Sequence, residues 1–285
     1  MPSRPLASLI PAAATSDGAG VRLYRSLGSQ RGLRLDPFLM LDEFFSDDPG
    51  DYIAGFPSHP HRGFETVTYM LDGHMRHEDS AGNRGDLGPG DVQWMSAARG
   101  IVHSEMPQQE AGRLRGFQLW VNLPAAEKMR PPAWRDIPSA LIPTVPLEGG
   151  GQARVVAGSF EHAGSRHAGP VGGLSTEPLY LDIRLPAAAR LQVATPAAHN
   201  ALLYIYEGEA GVGPDAQAIP HRHAGLLGPG GHIDIRAGAA GAALLCLAGR
   251  PIGEPVAQYG PFVMNTREEI EQAIDDYRTG RLQSG

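Results

Sequence analysis

"YMLDG" at residues 69–73 and "LGPGDV" at residues 87–92 recur in the same order as "YIYEG" at residues 204–208 and "LGPGGHI" at residues 227–233. In each copy an apolar strand runs into an acidic-Gly turn, and Pro-Gly then makes a tight turn into a further strand. A supersecondary pattern that occurs twice in one chain signals duplicated units. The expectation is two similar β-barrel domains in tandem. The proline-rich stretch from Pro131 to Pro146 and the run Gly149-Gly150-Gly151 are natural places for the join. We place the domains at residues 1–135 and 136–285, the second carrying a short C-terminal helix.

The chain around these repeats reads the same way. Its 37 glycines and 25 prolines separate short β-rich runs, among them Phe64–Leu71, Asp91–Met95, Gly116–Leu123, Tyr180–Leu185, Ala201–Tyr206 and Ala242–Leu247. Such spacing predicts an all-β protein, a sandwich or barrel rather than a βαβ fold. One late segment is helical: "TREEIEQAIDDYRTG" opens with Thr266 and Glu269 as a capping box and stops at Gly280. Apolar residues make up 42% and charged residues 19% of the 285, a globular composition and neither a disordered nor a membrane one. A net charge of −7, with Lys128 the single lysine, gives no electrostatic basis for binding nucleic acid. The lone Cys246 allows no intramolecular disulfide, fits a reducing compartment and reads as a buried core thiol. The N-terminus lacks a signal-peptide pattern and no apolar run approaches spanning length, so the expected location is cytoplasmic.

Chemistry concentrates in two short segments. "HPH" places His59 and His61 at i and i+2 at the mouth of a strand, and "RGIVHSEMP" places His103 and Glu105 at the same interval. Residues two apart share a strand face. If the two strands face each other across a small barrel, imidazoles and a carboxylate converge. Three nitrogens and one oxygen suit Fe(II), Mn, Ni, Cu or Zn, with positions left open for a substrate or O2. Glu65 has the parity of His59 and His61, so the carboxylate ligand is either Glu65 or Glu105. His74 and His77 flank the acidic turn and read as solvated loop residues. His221 and His223 form a second pair, but they fall after the acidic-Gly turn, whereas His59 and His61 precede theirs. The matching stretch in the second copy, Ala194 to Asn200, holds only His199, so the C-terminal barrel is expected to carry no metal.

The order HPHRGFETVTY, HEDSAGNRG, LGPGDVQWM, RGIVHSEMP, QLWVNLP and YGPFVMNTREEI resembles the pirins of the cupin superfamily, from about Val21 to Leu282. That resemblance implies two tandem cupin-type barrels (a bicupin), with one metal, usually iron, in the N-terminal barrel. It places the ligands at His59, His61, His103 and Glu105, and leaves Glu65 as a polar residue behind the site or in the core. Two roles are associated with such proteins. Some resemble quercetin 2,3-dioxygenases, which open a flavonol with O2 and release carbon monoxide. Others resemble non-catalytic regulators whose iron oxidation state switches binding to partner proteins. In the enzyme reading, Glu105 takes the proton of the flavonol 3-hydroxyl as general base. A flat apolar pocket is expected from Phe56, Trp94 and Met106, with Phe64, Met95 and Trp120 nearby. Arg62, of opposite parity to the ligands, is expected at the surface or in a structural ion pair. The enzyme reading is preferred because a four-ligand site with open positions is ready for chemistry.

Overall fold

The computed structural model describes residues 1–30 and 32–283. Antiparallel strands carry nearly all of its regular structure, and the long helix is Arg267–Arg278. The capping box forms as the sequence predicts. Thr266 Oγ1 accepts from the Glu269 amide at 3.2 Å, and the Glu269 carboxylate accepts from the Thr266 amide at 3.0 Å. Among the described residues no helix is long and apolar enough to cross a membrane.

The strands gather into two compact units that are not contiguous in sequence. One comprises Met1–Ala13, Ser29–Pro37 and Ala140–Pro251; the other comprises Ala14–Gly28, Phe38–Ser139 and Ile252–Gly285. This differs from a division at 135/136, because each terminus leaves the half to which sequence order assigns it. The first strand, Leu6–Pro11, pairs with His223–Leu227 at the edge of the large sheet, and Arg4 is buried there, donating to Thr195 Oγ1 and to the carbonyls of Pro196, His199 and Gly228. At the other end, Phe262, Met264, Ile270, Ala273 and Leu282 form an apolar cluster with Val102 of the unit that carries His59. The C-terminal helix therefore belongs with that unit and not with residues 140–251.

The unit holding residues 140–251 is a nine-stranded sheet built on two long strands, Asn200–Val212 and His232–Gly249, paired from Asn200↔Gly249 to Val212↔Ile235. Alternate residues along its strands point inward, and these are apolar: Leu181, Ile183, Leu203, Ile205, Leu244 and Cys246 among them. The Cys246 thiol lies in that core, pushed up to about 12 by burial while Arg4 pulls it back. It is inert as a nucleophile.

In the unit holding His59, a seven-stranded sheet runs Ala133–Ile137, Val92–Ser96, Phe64–Asp72, Leu114–Asn122, Phe38–Ser46, Val21–Arg25 and Ala13–Asp17. A four-stranded sheet runs Phe56–His61, Ile101–Pro107, Met75–Asp79 and Arg84–Leu87. Side chains from the two sheets meet inside: Thr68 reaches Glu105, and Trp120 lies beside His61. The smaller sheet supplies the candidate ligands and the larger one supports them.

Candidate metal centre

His59 and His61 end the strand Phe56–His61, and His103 and Glu105 sit on its neighbour Ile101–Pro107. The register sets His103 directly opposite His59 and Ile101 opposite His61. Residues paired across an antiparallel ladder share a face, so all three imidazoles stand on the inner side of the small sheet. Their ring centroids lie 4.4 Å (His59–His103), 4.7 Å (His59–His61) and 4.8 Å (His61–His103) apart. One nitrogen from each ring falls within 4.8 Å of the other two. His61 and His103 are buried, and His59 is half-buried.

The hydrogen bonds say which nitrogens are offered. His59 Nδ1 lies 2.8 Å from the Pro57 carbonyl, which can only accept, so that nitrogen carries the proton and Nε2 is left with its lone pair. His59 Nε2 stands 3.0 Å from His61 Nε2. A first-row metal binds imidazole nitrogen at about 2.0–2.1 Å, so two ligands at right angles stand about 3 Å apart. His103 Nε2 is buried with no hydrogen-bond partner, a costly arrangement for a polar atom unless something binds there. Burial, and then the neighbouring imidazoles, hold His61 and His103 well below the usual histidine range. Neutral rings are what a metal requires. The residues present therefore fit a metal ion.

Glu105 is 4% exposed and shares the inner face. Its Oε1 accepts from Thr68 Oγ1 at 2.9 Å, and its Oε2 accepts from Gln118 Nε2 at 3.2 Å. Thr68 and Gln118 are themselves paired across the large sheet, which fixes both donors. The converging donor atoms belong to the three histidines; the Glu105 carboxylate is not gathered into that group, and the opposite sheet holds it through Thr68 and Gln118. Glu65 pairs with Ser96 and Val121, on the other face of its strand from Thr66 and Thr68. The fold turns it away from the imidazoles.

The expected apolar pocket needs correction. Trp94 pairs with Val67 and so takes the face opposite to Thr66 and Thr68. Met106 pairs with Arg76 and has the opposite parity to His103 and Glu105. Phe56 lies opposite Glu105 and packs with Val21, Leu23, Phe44 and Tyr52. The aromatic rings that do touch the imidazoles are Phe64 and Trp120, 5.0 and 5.3 Å from His61 and 4.3 Å from each other. Arg62 is buried rather than superficial, donating to Asp276 Oδ2 at 2.8 Å and to the Leu282 carbonyl at 2.9 Å, a structural ion pair.

The other histidines divide. His74 is exposed, in keeping with a loop residue. His77 is not a loop residue: it lies on the strand Met75–Asp79, fully buried, paired with Glu105 and 3.3 Å from His103 through their Nδ1 atoms. The signal for it was H-x-D at strand spacing, hidden by the acidic residues around it. His221 is exposed, and His223 Nδ1 donates to the His221 carbonyl at 2.9 Å. Among the described residues the cluster of His59, His61 and His103 is the metal-competent group.

A family model described as Pirin matches residues 20–121, and one described as Pirin C-terminal cupin domain matches residues 180–283. A Pseudomonas aeruginosa protein, provisionally named a quercetin 2,3-dioxygenase, is 54% identical over 94% of this chain and 94% of its own length. A pirin-like protein of Caulobacter vibrioides is 49% identical over 99% of this chain and 100% of its own. The crystal structure of a quercetin 2,3-dioxygenase from Acinetobacter baumannii superposes with a TM-score of 0.88 at 32% identity, covering 98% of each chain.

Proposed function

Since the chain belongs to the pirin family and folds as two cupin-type barrels, we propose that it is a metal-dependent dioxygenase. The substrate class is a flavonol such as quercetin, which O2 converts to a ring-opened ester with release of carbon monoxide. The observation that carries this reading is the convergence of His59, His61 and His103, with a buried, partnerless nitrogen on the His103 ring. The names of the Pseudomonas and Acinetobacter proteins support the same substrate class.

His59, His61, His103 and Glu105 would hold the metal, for which Fe(II) is our assignment among first-row ions. When bound, it would supply a Lewis acid for the flavonol 3-hydroxyl and a redox partner for O2. The chain's own residues do the rest. Glu105 takes the 3-hydroxyl proton on a carboxylate oxygen, a general-base step. Thr68 and Gln118 aim that carboxylate with their hydrogen bonds. Phe64 and Trp120 form an apolar wall on the His61 side that excludes water and suits a flat aromatic ring.

Anaerobic reconstitution with Fe(II), followed by O2 uptake and loss of quercetin absorbance, tests the proposal. Wild-type protein should consume O2 and quercetin together. Glu105→Gln should keep its fold and lose about 100-fold or more in turnover, in the range for removing a general base. Stoichiometric iron without turnover would overturn the dioxygenase reading and favour a redox-switched binding protein.

A further inference from the structure

His77 and Asp79 take no part in the scheme above, yet both are buried inside the barrel behind a candidate ligand. The His77 side chain is 1% exposed and that of Asp79 is 0%. Asp79 Oδ1 accepts from the amides of Ala81 and Asn83 at 2.9 and 3.0 Å, and Oδ2 accepts from Asn83 Nδ2 at 2.9 Å. The turn "DSAGN" thus holds one carboxylate in a fixed direction. Oδ2 points at His77 Nε2, 3.4 Å away. Trp134 stacks on the His77 ring at 5.8 Å and 22°. Gly85 is paired with His77, and a Cβ there would meet Asp136 Oδ2 at 1.9 Å and Trp134 at 2.8 Å, so the absent side chain is what lets Trp134 close over the ring.

The direction of each hydrogen bond follows from the one before it. An ionised carboxylate only accepts, so His77 Nε2 carries a proton and donates it. In a neutral ring His77 Nδ1 is then an acceptor, and the group it faces at 3.3 Å is His103 Nδ1. His103 must therefore be protonated at Nδ1, which leaves the lone pair on Nε2. That is the buried nitrogen without a partner, on the ring that lies 4.4 Å from His59 and 4.8 Å from His61.

We propose that Asp79 and His77 are positioning residues that fix His103 in the tautomer and orientation whose Nε2 faces the metal position. The inference rests on the reading of His59, His61 and His103 as metal ligands. It extends that centre across three strands and ends it at an exposed turn.

The test compares Co(II) binding by the full-length wild type, His77→Phe, His77→Gln and Asp79→Asn, using competition with a chromophoric chelator, the Co(II) d–d spectrum and the melting temperature of the metal-free proteins. His77→Phe keeps a ring for Trp134 but cannot accept from His103, and should weaken Co(II) binding about 10–100-fold with a changed d–d spectrum. His77→Gln, whose Oε1 can accept from His103 Nδ1, should recover most of that loss. Asp79→Asn should weaken binding and shift the spectrum in the same direction as His77→Phe. Binding by His77→Phe within about threefold of wild type, or no recovery in His77→Gln, would overturn the proposal. If His77→Phe does not fold, an Asp79→Asn affinity and spectrum identical to wild type would overturn it. Failure of wild type to bind Co(II) would instead sink the metal reading, and this inference with it.

Discussion

Glu65 shows what burial does to a single side chain. It is 4% exposed, and burial pushes its carboxyl up to about 7, with the repulsion of Glu127 adding to this while Trp94 and Ser96 pull it back. A carboxyl raised from its ordinary 4.5 binds its proton more tightly in the folded state. Its contribution to stability is therefore full below pH 4.5 and is lost as pH rises through about 7. Glu65→Gln should melt with the wild type at pH 4.5 and above it at pH 8, by up to about 3 kcal/mol, measured as melting temperature against pH. The same physics separates what was legible in the sequence from what was not. His59, His61 and His103 could be read because strand alternation turns an interval of two into a shared face. His77 obeys that rule too, but its strand is short and its neighbours are charged, so composition pointed to a loop. Trp94 and Met106 failed for the opposite reason: size and apolarity mark a side chain as buried, but only the register says on which face.

At the scale of the element, the strand carrying His59 and His61 ends in a corner that is fastened from outside. Gly63 has φ +92°, and a Cβ there would lie 1.9 Å from the Val263 carbonyl oxygen. Lys128 Nζ binds the carbonyls of Gly63 and Val263 at 2.6 and 3.0 Å and Asn122 Oδ1 at 2.6 Å. Burial pushes that ammonium down to about 8, with Glu254 and Glu269 opposing the change. The corner thus tolerates neither a side chain nor an opening. Gly63→Ala should destabilise the protein by about 2–4 kcal/mol, since it combines left-handed backbone with a backbone clash. Because His61 is two residues away, metal binding should weaken along with the melting temperature. The partners of this corner were not legible in the sequence, because Val263 and Lys128 are distant in the chain and nothing local links them.

For the molecule as a whole, the duplicated "LGPG" pattern made the two barrels legible, whereas the exchange of termini was not. Leu6–Pro11 and the C-terminal helix settle where a sheet edge or an apolar cluster accepts them, and that depends on long-range register. The two barrels also diverge inside. One carries histidines, carboxylates, Thr68 and Gln118 on its inner face; the other is filled by aliphatic side chains and Cys246. The chain should therefore bind one ion, not two. The most direct measurement is the metal content per chain after Fe(II) loading and gel filtration, for wild type and for His103→Ala. The account predicts one iron per wild-type chain and a loss of nearly all of it in His103→Ala, with the barrels still folded by circular dichroism. Two irons per chain, or a full complement retained in His103→Ala, would contradict it.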